Sequence, residues 1–223
     1  GPFAVGCKRF WAQSGQNVLC YYPIHFSNWE GLRDSNKPDL LTFGERALSG
    51  IAKAEGYMAN FPVPRMIQLL DVKIEAAADA PFDLNDGTYE TRLAAIVFTH
   101  GLCARAEIYS GHCRELASFG YLVFAPDCID GSSSYTELAD GTPKHFDASA
   151  GIPLLTDMPF RAKQLENRDK NTRALIDELT NSPIFLQERL GFPKRVKIDG
   201  AKIILAGHSF GGATAILSTM NDV

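Results

Sequence analysis

The chain has 223 residues and a formal net charge of −4, with 45% hydrophobic and 22% charged residues. This composition is typical of a globular domain and excludes a disordered or fibrous protein. The length predicts a single domain, residues 1–223. No cluster of Lys or Arg could neutralise a run of phosphates, so we predict no nucleic-acid partner. No run approaches the roughly 20 apolar residues of a membrane-spanning helix, so we predict no such helix.

The cysteines are odd in number and form no CxxC pair. They are Cys7, Cys20, Cys103, Cys113 and Cys128. This pattern argues against a zinc site and against a dense disulfide framework. We predict isolated core or surface thiols, with one disulfide in a secreted product as the alternative.

The first third of the chain has an irregular pattern. Val18 to Tyr22 predicts a short strand, and residues 28–38 are rich in turn formers. Thr42 to Met58 predicts a helix, and with Arg65 to Leu70 it carries apolar residues at helical spacing. Such a segment either lies on a lipid surface or packs on the core. We favour the core because most amphipathic helices are simply half-buried.

A regular alternation of strands and helices begins at Leu93. Leu93 to Thr99 is an almost unbroken apolar run, typical of a parallel strand covered on both faces. A helix over 108–119 and a second buried strand over 121–125 follow. These three elements predict one βαβ unit.

Three further elements are predicted downstream. Residues 160–179 predict a long helix with a charged, solvent-facing surface. Lys202 to Ala206 predicts a third buried strand, and residues 211–219 predict a helix of small residues. Together the elements predict an α/β fold with a mostly parallel sheet flanked by helices.

The sequence Gly207-His208-Ser209-Phe210-Gly211 lies between the third strand and the last helix. In that context GxSxG indicates the nucleophile elbow of an α/β-hydrolase, with Ser209 as the attacking residue. The two glycines leave room for the neighbouring strand and helix. The alternative is a tight structural turn with an inert serine.

An acyl-transfer site also needs two backbone N–H groups that bind the tetrahedral oxyanion. Phe210 follows the nucleophile and supplies the first in this fold. The second is expected from the loop after the strand that ends at His100-Gly101, where Leu102 is placed to donate. We therefore predict an oxyanion hole formed by the amides of Leu102 and Phe210.

The acid and the base of the triad follow the nucleophile in this fold. His100 and His208 precede Ser209 at motif positions beside strand ends, so we predict structural roles for both. Fourteen residues follow Ser209, and Asp222 among them belongs to the end of the elbow helix. We therefore expect the triad Asp and His to lie outside this chain.

The same arrangement bears on packing, because an elbow strand is normally central in the sheet. With the last helix ending near Val223, one edge of that strand would stay unpaired. We expect the N-terminal portion of an α/β-hydrolase fold, lacking the C-terminal strands and incomplete at the C-terminus. A C-terminal segment or a second chain should complete the sheet.

Five segments together carry a family resemblance. They are Gly1–Cys7, Tyr21–Pro23, Phe98–Leu102, Leu116–Tyr121 and Gly207–Thr214. They resemble the platelet-activating factor acetylhydrolases, the plasma and intracellular type II lipases, and the resemblance runs nearly end to end. Residues 127–155 depart most from the family pattern, which leaves the acyl-chain preference open.

The resemblance implies calcium-independent hydrolysis of the sn-2 acetyl or short or oxidised acyl ester of phospholipids like platelet-activating factor. Ser209 would form the acyl-enzyme, the Leu102 and Phe210 amides would bind the oxyanion, and no metal or cofactor is implied. The resemblance also implies lipoprotein or membrane-surface contact through 42–70. A secreted or membrane-peripheral location is therefore favoured over a cytoplasmic one.

Two alternative functions remain. The first is a hydrolase-fold scaffold or assembly subunit in which Ser209 is not used, since a fold does not imply a function. The second is a cutinase-like polyesterase or general carboxylesterase, which shares the elbow but not the N-terminal resemblance.

Overall fold

The computed structural model describes residues 1–26, 36–56, 67–84, 90–149 and 157–221. The strands are β1 (Ala4–Trp11), β2 (Asn17–Ile24), β3 (Ala77–Ala78), β4 (Thr91–Thr99), β5 (Leu122–Pro126), β6 (Tyr135–Glu137), β7 (Pro143–His145) and β8 (Val196–Gly207). The α-helices are α1 (Gly44–Gly56), α2 (Ser110–Ser118), α3 (Met158–Asn181), α4 (Phe185–Leu190) and α5 (Phe210–Met220). Short 3₁₀ helices span Ile67–Asp71 and Ala106–Tyr109.

Six strands form one sheet in the order β3-β1-β2-β5-β4-β8. β4 pairs in parallel with β5 and with β8, whereas β2 pairs antiparallel with β1 and β5. The predicted βαβ unit is confirmed as β4, α2 and β5. The fold is therefore the predicted α/β arrangement, a mostly parallel sheet flanked by helices.

Both faces of the inner strands are covered, because their alternate residues point into different cores. In β5, Leu122 and Phe124 share a core with Leu175 of α3, whereas Val123 lies in a core with Cys113 of α2. Such strands have no polar face, which explains their unbroken apolar sequences.

The helix predicted over 160–179 is confirmed as α3, and Lys163, Glu166 and Lys170 are exposed as predicted, but the helix also has polar residues that were not predicted to be buried. Six of its polar residues are buried: Arg161, Gln164, Arg168, Asp169, Thr172 and Glu178. Several of them bond to other polar groups, as when Arg168 Nε donates to Ser132 Oγ at 2.8 Å. Polar side chains with internal partners can be buried, and hydropathy alone does not reveal those partners.

The third strand is confirmed as β8, but its predicted burial on both faces is wrong. β8 lies at the edge of the six-stranded sheet, where β4 is its partner among the described residues. Ile204 is 42% exposed in consequence. An apolar run alone does not distinguish a covered central strand from an edge strand.

The segment predicted to contact either lipid or the core packs on the protein where it is described. Ala47 and Ile51 of α1 form a cluster with Tyr135, and Leu69 and Leu70 pack against it. Residues 57–66 lie outside the described residues, so lipid contact through 42–70 stays a prediction. Of the turn-rich segment 28–38, only 36–38 are described.

All five cysteines are buried and none forms a disulfide, which confirms the prediction of core thiols without a disulfide framework. Burial raises the pKa of Cys7, Cys113 and Cys128 to about 12. Within the described ranges, no helix combines the length and the apolarity needed to cross a bilayer.

Candidate active site

Ser209 lies in the sharp turn between β8 and α5, and the residue is exposed. Its backbone has φ 54° and ψ −120°, a conformation that costs a residue with a side chain on the order of 1–3 kcal/mol. Thr99 pairs with Gly207, so β4 and β8 end side by side beneath this turn. Strain of this kind persists where the surrounding structure enforces it, typically at functional sites.

Two glycines let the turn pack against the end of β4. A Cβ on Gly207 would lie 2.5 Å from the Gly211 carbonyl oxygen and 2.6 Å from Thr99 Oγ1. A Cβ on Gly211 would overlap the Thr99 carbonyl and lie 2.7 Å from the His100 carbonyl oxygen. Thr99 Oγ1 also donates to the Gly211 carbonyl at 2.7 Å. The close approach of these backbones therefore requires glycine at both positions.

The two residues predicted to form the oxyanion hole lie on the two sides of the junction where the Ser209 turn packs against the end of β4. Phe210 begins α5, and Leu102 lies in the turn after β4. A Cβ on Gly101 would lie 3.4 Å from the His208 carbonyl oxygen, so that turn contacts the residue before Ser209. Among the described residues, neither the Leu102 nor the Phe210 N–H donates to a protein acceptor.

His100 is fully buried, and both of its ring nitrogens have partners. Nδ1 lies 2.7 Å from the Gly101 carbonyl oxygen and therefore carries the proton, while Nε2 accepts from the Cys128 N–H at 3.0 Å. Burial, reinforced by the nearby Arg168 cation, lowers the pKa of His100 to about 3. The ring is therefore neutral at neutral pH and fixed between two loops.

This neutral His100 should make folding stability depend on pH. The unfolded chain takes up a proton near the ordinary pKa of 6.5, whereas the folded chain does so only near 3. Stability is therefore fully present above pH 6.5 and lost as the pH falls towards 3. We expect a loss of about 2 kcal/mol between pH 7 and pH 5, measured by urea unfolding. His100→Gln should remove that part of the pH dependence, and an unchanged profile would contradict this origin.

His208 is engaged with the loop after β4. Its Nδ1 lies 2.9 Å from the Tyr109 hydroxyl, which also accepts a hydrogen bond from the Gly101 N–H at 3.2 Å. In the described part of the chain, no histidine hydrogen-bonds to the Ser209 hydroxyl. Among the described residues, the loop carrying Leu102 thus approaches the Ser209 turn, and no histidine hydrogen-bonds to the hydroxyl. Asp222 lies outside the described residues.

Tyr109 and Arg168 also lie at this junction, although neither is predicted from the sequence. Tyr109 falls inside a predicted helix, where its spacing is unremarkable. Arg168 is one of many charged residues of α3, yet its guanidinium carbon lies 4.6 Å from the centroid of the Phe210 ring. No motif marks either residue, because their contacts join segments far apart in the sequence.

A strained, exposed serine between a parallel strand and a helix, on a mostly parallel sheet flanked by helices, gives this chain the α/β-hydrolase fold. The fold is similar to that of a ferulic acid esterase from Streptomyces cinnamoneus, with a TM-score of 0.64 and 18% identity over all of this chain and 57% of that one. The model of the family "Platelet-activating factor acetylhydrolase, isoform II" matches residues 1–223. The chain belongs to that family.

Curated relatives agree with the family match. A platelet-activating factor acetylhydrolase of Bos taurus is 36% identical over 240 residues, and that of Cavia porcellus is 26% identical over 239. Each alignment covers 100% of this chain and 51% of the relative. The chain therefore spans about half the length of these relatives.

Proposed function

We propose that the full-length protein is a serine esterase. It hydrolyses the sn-2 acetyl or short or oxidised acyl ester of phospholipids that resemble platelet-activating factor. The observation that carries this proposal is the exposed, strained Ser209 at the turn between β8 and α5. Membership of the platelet-activating factor acetylhydrolase family supports the substrate class.

In the proposed mechanism, the Ser209 hydroxyl attacks the sn-2 carbonyl carbon as a general base removes its proton. The carbonyl oxygen becomes an oxyanion that accepts hydrogen bonds from the Leu102 and Phe210 N–H groups. Collapse of the tetrahedral intermediate releases the lysophospholipid, which takes a proton at its sn-2 oxygen, and leaves the acyl group on Ser209. Water then hydrolyses this acyl-enzyme by the same sequence of steps.

The base is proposed to be a histidine oriented by an aspartate, and both follow α5 in the full-length protein. This assignment rests on the order of triad residues in the α/β-hydrolase fold. His100 lies close to the Ser209 turn, but both of its ring nitrogens have partners and its pKa is lowered to about 3, which supports a base other than His100. Such a ring is a poor proton acceptor at neutral pH.

The outer edge of β8 is proposed to pair with a strand from a C-terminal segment or from a second chain. Among the described residues, the edge of β8 away from β4 is unpaired. Exposed edge strands are prone to aggregation. Ile204 on β8 and Ile216 and Met220 on α5 are 42–68% exposed, which supports an apolar covering here.

Contact with a lipoprotein or membrane surface through residues 42–70 is a further part of the proposal. Ile67 is 58% exposed in the described portion of this segment. An exposed apolar side chain next to an amphipathic helix is compatible with binding at a lipid interface.

A fluorophosphonate probe tests the covalent step, because it captures a serine whose hydroxyl is activated. We expect labelling of the full-length protein, with the adduct mapped to Ser209 by peptide mass spectrometry. We also expect acetate release from platelet-activating factor, with kcat/KM falling as the sn-2 chain lengthens from acetyl to palmitoyl.

The outcomes separate the enzyme from its alternatives. A folded full-length protein that takes up no probe would contradict the esterase and favour a hydrolase-fold scaffold. Labelling at Ser209 with equal activity on acetyl and palmitoyl phospholipids would contradict the substrate class only. Activity on polyesters but not on phospholipids would favour the cutinase-like alternative.

A further inference from the structure

Arg168 and Tyr109 contact the peptide units that lead to the proposed Leu102 donor. We propose that both are positioning residues for ester hydrolysis, which hold and polarise the backbone around Gly101 so that the Leu102 N–H meets the oxyanion. The inference rests on the proposed function and adds two residues to it. Neither residue is assigned contact with the reacting atoms.

Gly101 is held at both of its backbone polar groups. Its N–H donates to the Tyr109 hydroxyl at 3.2 Å. Its carbonyl oxygen accepts from His100 Nδ1 at 2.7 Å and lies 3.5 Å from Arg168 Nη2. The peptide bond is planar, so fixing the Gly101 carbonyl also fixes the direction of the Leu102 N–H.

Arg168 connects the two halves of the proposed oxyanion hole. Its Nη1 donates to the His100 carbonyl at 2.7 Å, on the segment that leads to Leu102. Its guanidinium carbon lies 4.6 Å from the ring centroid of Phe210, the other predicted donor residue. One side chain therefore links residues 100–101 to the start of α5.

The Arg168 side chain is itself fixed and completely buried. Its Nε donates to Ser132 Oγ at 2.8 Å, and an Asp130 carboxylate oxygen lies 3.7 Å from the same nitrogen. A fully enclosed guanidinium with defined partners has few alternative positions. It can therefore act as a rigid support for the two backbone segments.

Two physical effects would link Arg168 to the reaction. A charged donor on the Gly101 carbonyl strengthens the Leu102 N–H of the same peptide unit, since linked hydrogen bonds polarise one another by about 10–30% each. The buried positive charge also favours negative charge developing nearby. Both effects act on the transition state more than on the bound ester, so they should change kcat and leave KM almost unchanged.

Arg9 provides a matched control because it is a similarly bonded arginine elsewhere in the fold. Its guanidinium donates to Asn17 Oδ1, Thr42 Oγ1 and Glu107 Oε1, and it lies 6.0 Å from the Phe43 ring. None of these partners belongs to the backbone of residues 100–102. Arg9→Lys should therefore affect stability without changing kcat.

The test measures kcat, KM and the rate of fluorophosphonate labelling in the full-length protein and its variants. Arg168→Gln should lower kcat about 100-fold, the typical cost of a displaced catalytic group, with KM within about threefold of wild type. Arg168→Lys keeps the positive charge but not the planar guanidinium group, so its loss of kcat should be smaller than that of Arg168→Gln. Tyr109→Phe should lower kcat as well. In the double variant with Arg168→Lys, the total loss of kcat should be smaller than the sum of the two separate losses, expressed as free energies.

Several results would overturn the inference. Arg168 would be assigned to packing if its variants keep the wild-type kcat or change KM alone. An equal loss of kcat in Arg9→Lys would lead to the same assignment. If neither Arg168 variant folds, Tyr109→Phe decides the question. An unchanged kcat in that variant would overturn the inference, and a lowered kcat would support it. An inactive wild-type protein would contradict the proposed function itself, which separates the two failures.

Discussion

Ser209→Ala in the full-length protein is expected to lower kcat for ester hydrolysis by on the order of 10⁶-fold, the effect of removing the nucleophile from a serine triad. The alanine removes the atom that forms the acyl-enzyme and leaves the proposed Leu102 and Phe210 donors in place. The residual rate would then come from substrate binding and the oxyanion hole. Steady-state acetate release and fluorophosphonate labelling measure the effect, and labelling should vanish.

The substitution should not destabilise the fold, because the Ser209 hydroxyl is exposed and makes no hydrogen bond within the described residues. Ser14→Ala is a suitable control, since Ser14 lies in the turn between β1 and β2 and its hydroxyl donates to Gln16 Oε1. This control should keep the wild-type kcat. Wild-type activity in Ser209→Ala would exclude Ser209 as the nucleophile.

Gly211→Ala is expected to lower the free energy of unfolding by about 3 kcal/mol, the upper end of the usual cost of overpacking. The new methyl group would overlap the Thr99 carbonyl and lie 2.7 Å from the His100 carbonyl oxygen. Both obstacles are backbone atoms of a strand end, which cannot move aside as a flexible side chain can. Urea unfolding measures the loss, and displacement of α5 should also slow labelling of Ser209.

Gly212→Ala is the matched control, one residue further along the same helix. Its Cβ would meet only ordinary contacts, the nearest being the Gly207 carbonyl oxygen at 3.5 Å. Alanine is the better helix former, so stability should stay constant or rise by up to about 1 kcal/mol. Equal destabilisation by the two substitutions would show that close packing at Gly211 is not the cause.

The elements with local sequence patterns could be predicted from the sequence. β4, α2 and β5 follow from apolar runs and helical spacing, because burial on both sides leaves no polar face. The Ser209 turn follows from five consecutive residues, since steric constraints on a strained turn act on near neighbours. In contrast, β1 was not predicted, because Lys8 and Arg9 interrupt its apolar pattern.

Those two side chains illustrate why the remaining features could not be predicted. Lys8 Nζ donates to the Leu190 carbonyl and Arg9 to Asn17, so their charges reach partners beyond the strand while their stems lie along it. Arg168 is a stronger example, because its partner His100 lies 68 residues earlier. Long-range polar pairs leave no periodic pattern, so the buried polar residues of α3 cannot be predicted from the sequence for the same reason.

Burial of the five thiols determines which side chain meets a reactive electrophile. Sulfur is intrinsically a better nucleophile than a hydroxyl, yet every cysteine is enclosed, and the pKa of Cys128 is raised to about 12. Ser209 is exposed at the end of β8. In the folded protein, an electrophile should therefore react with the accessible Ser209 hydroxyl and not with the enclosed thiols. Unfolding would expose the thiols and reverse this preference.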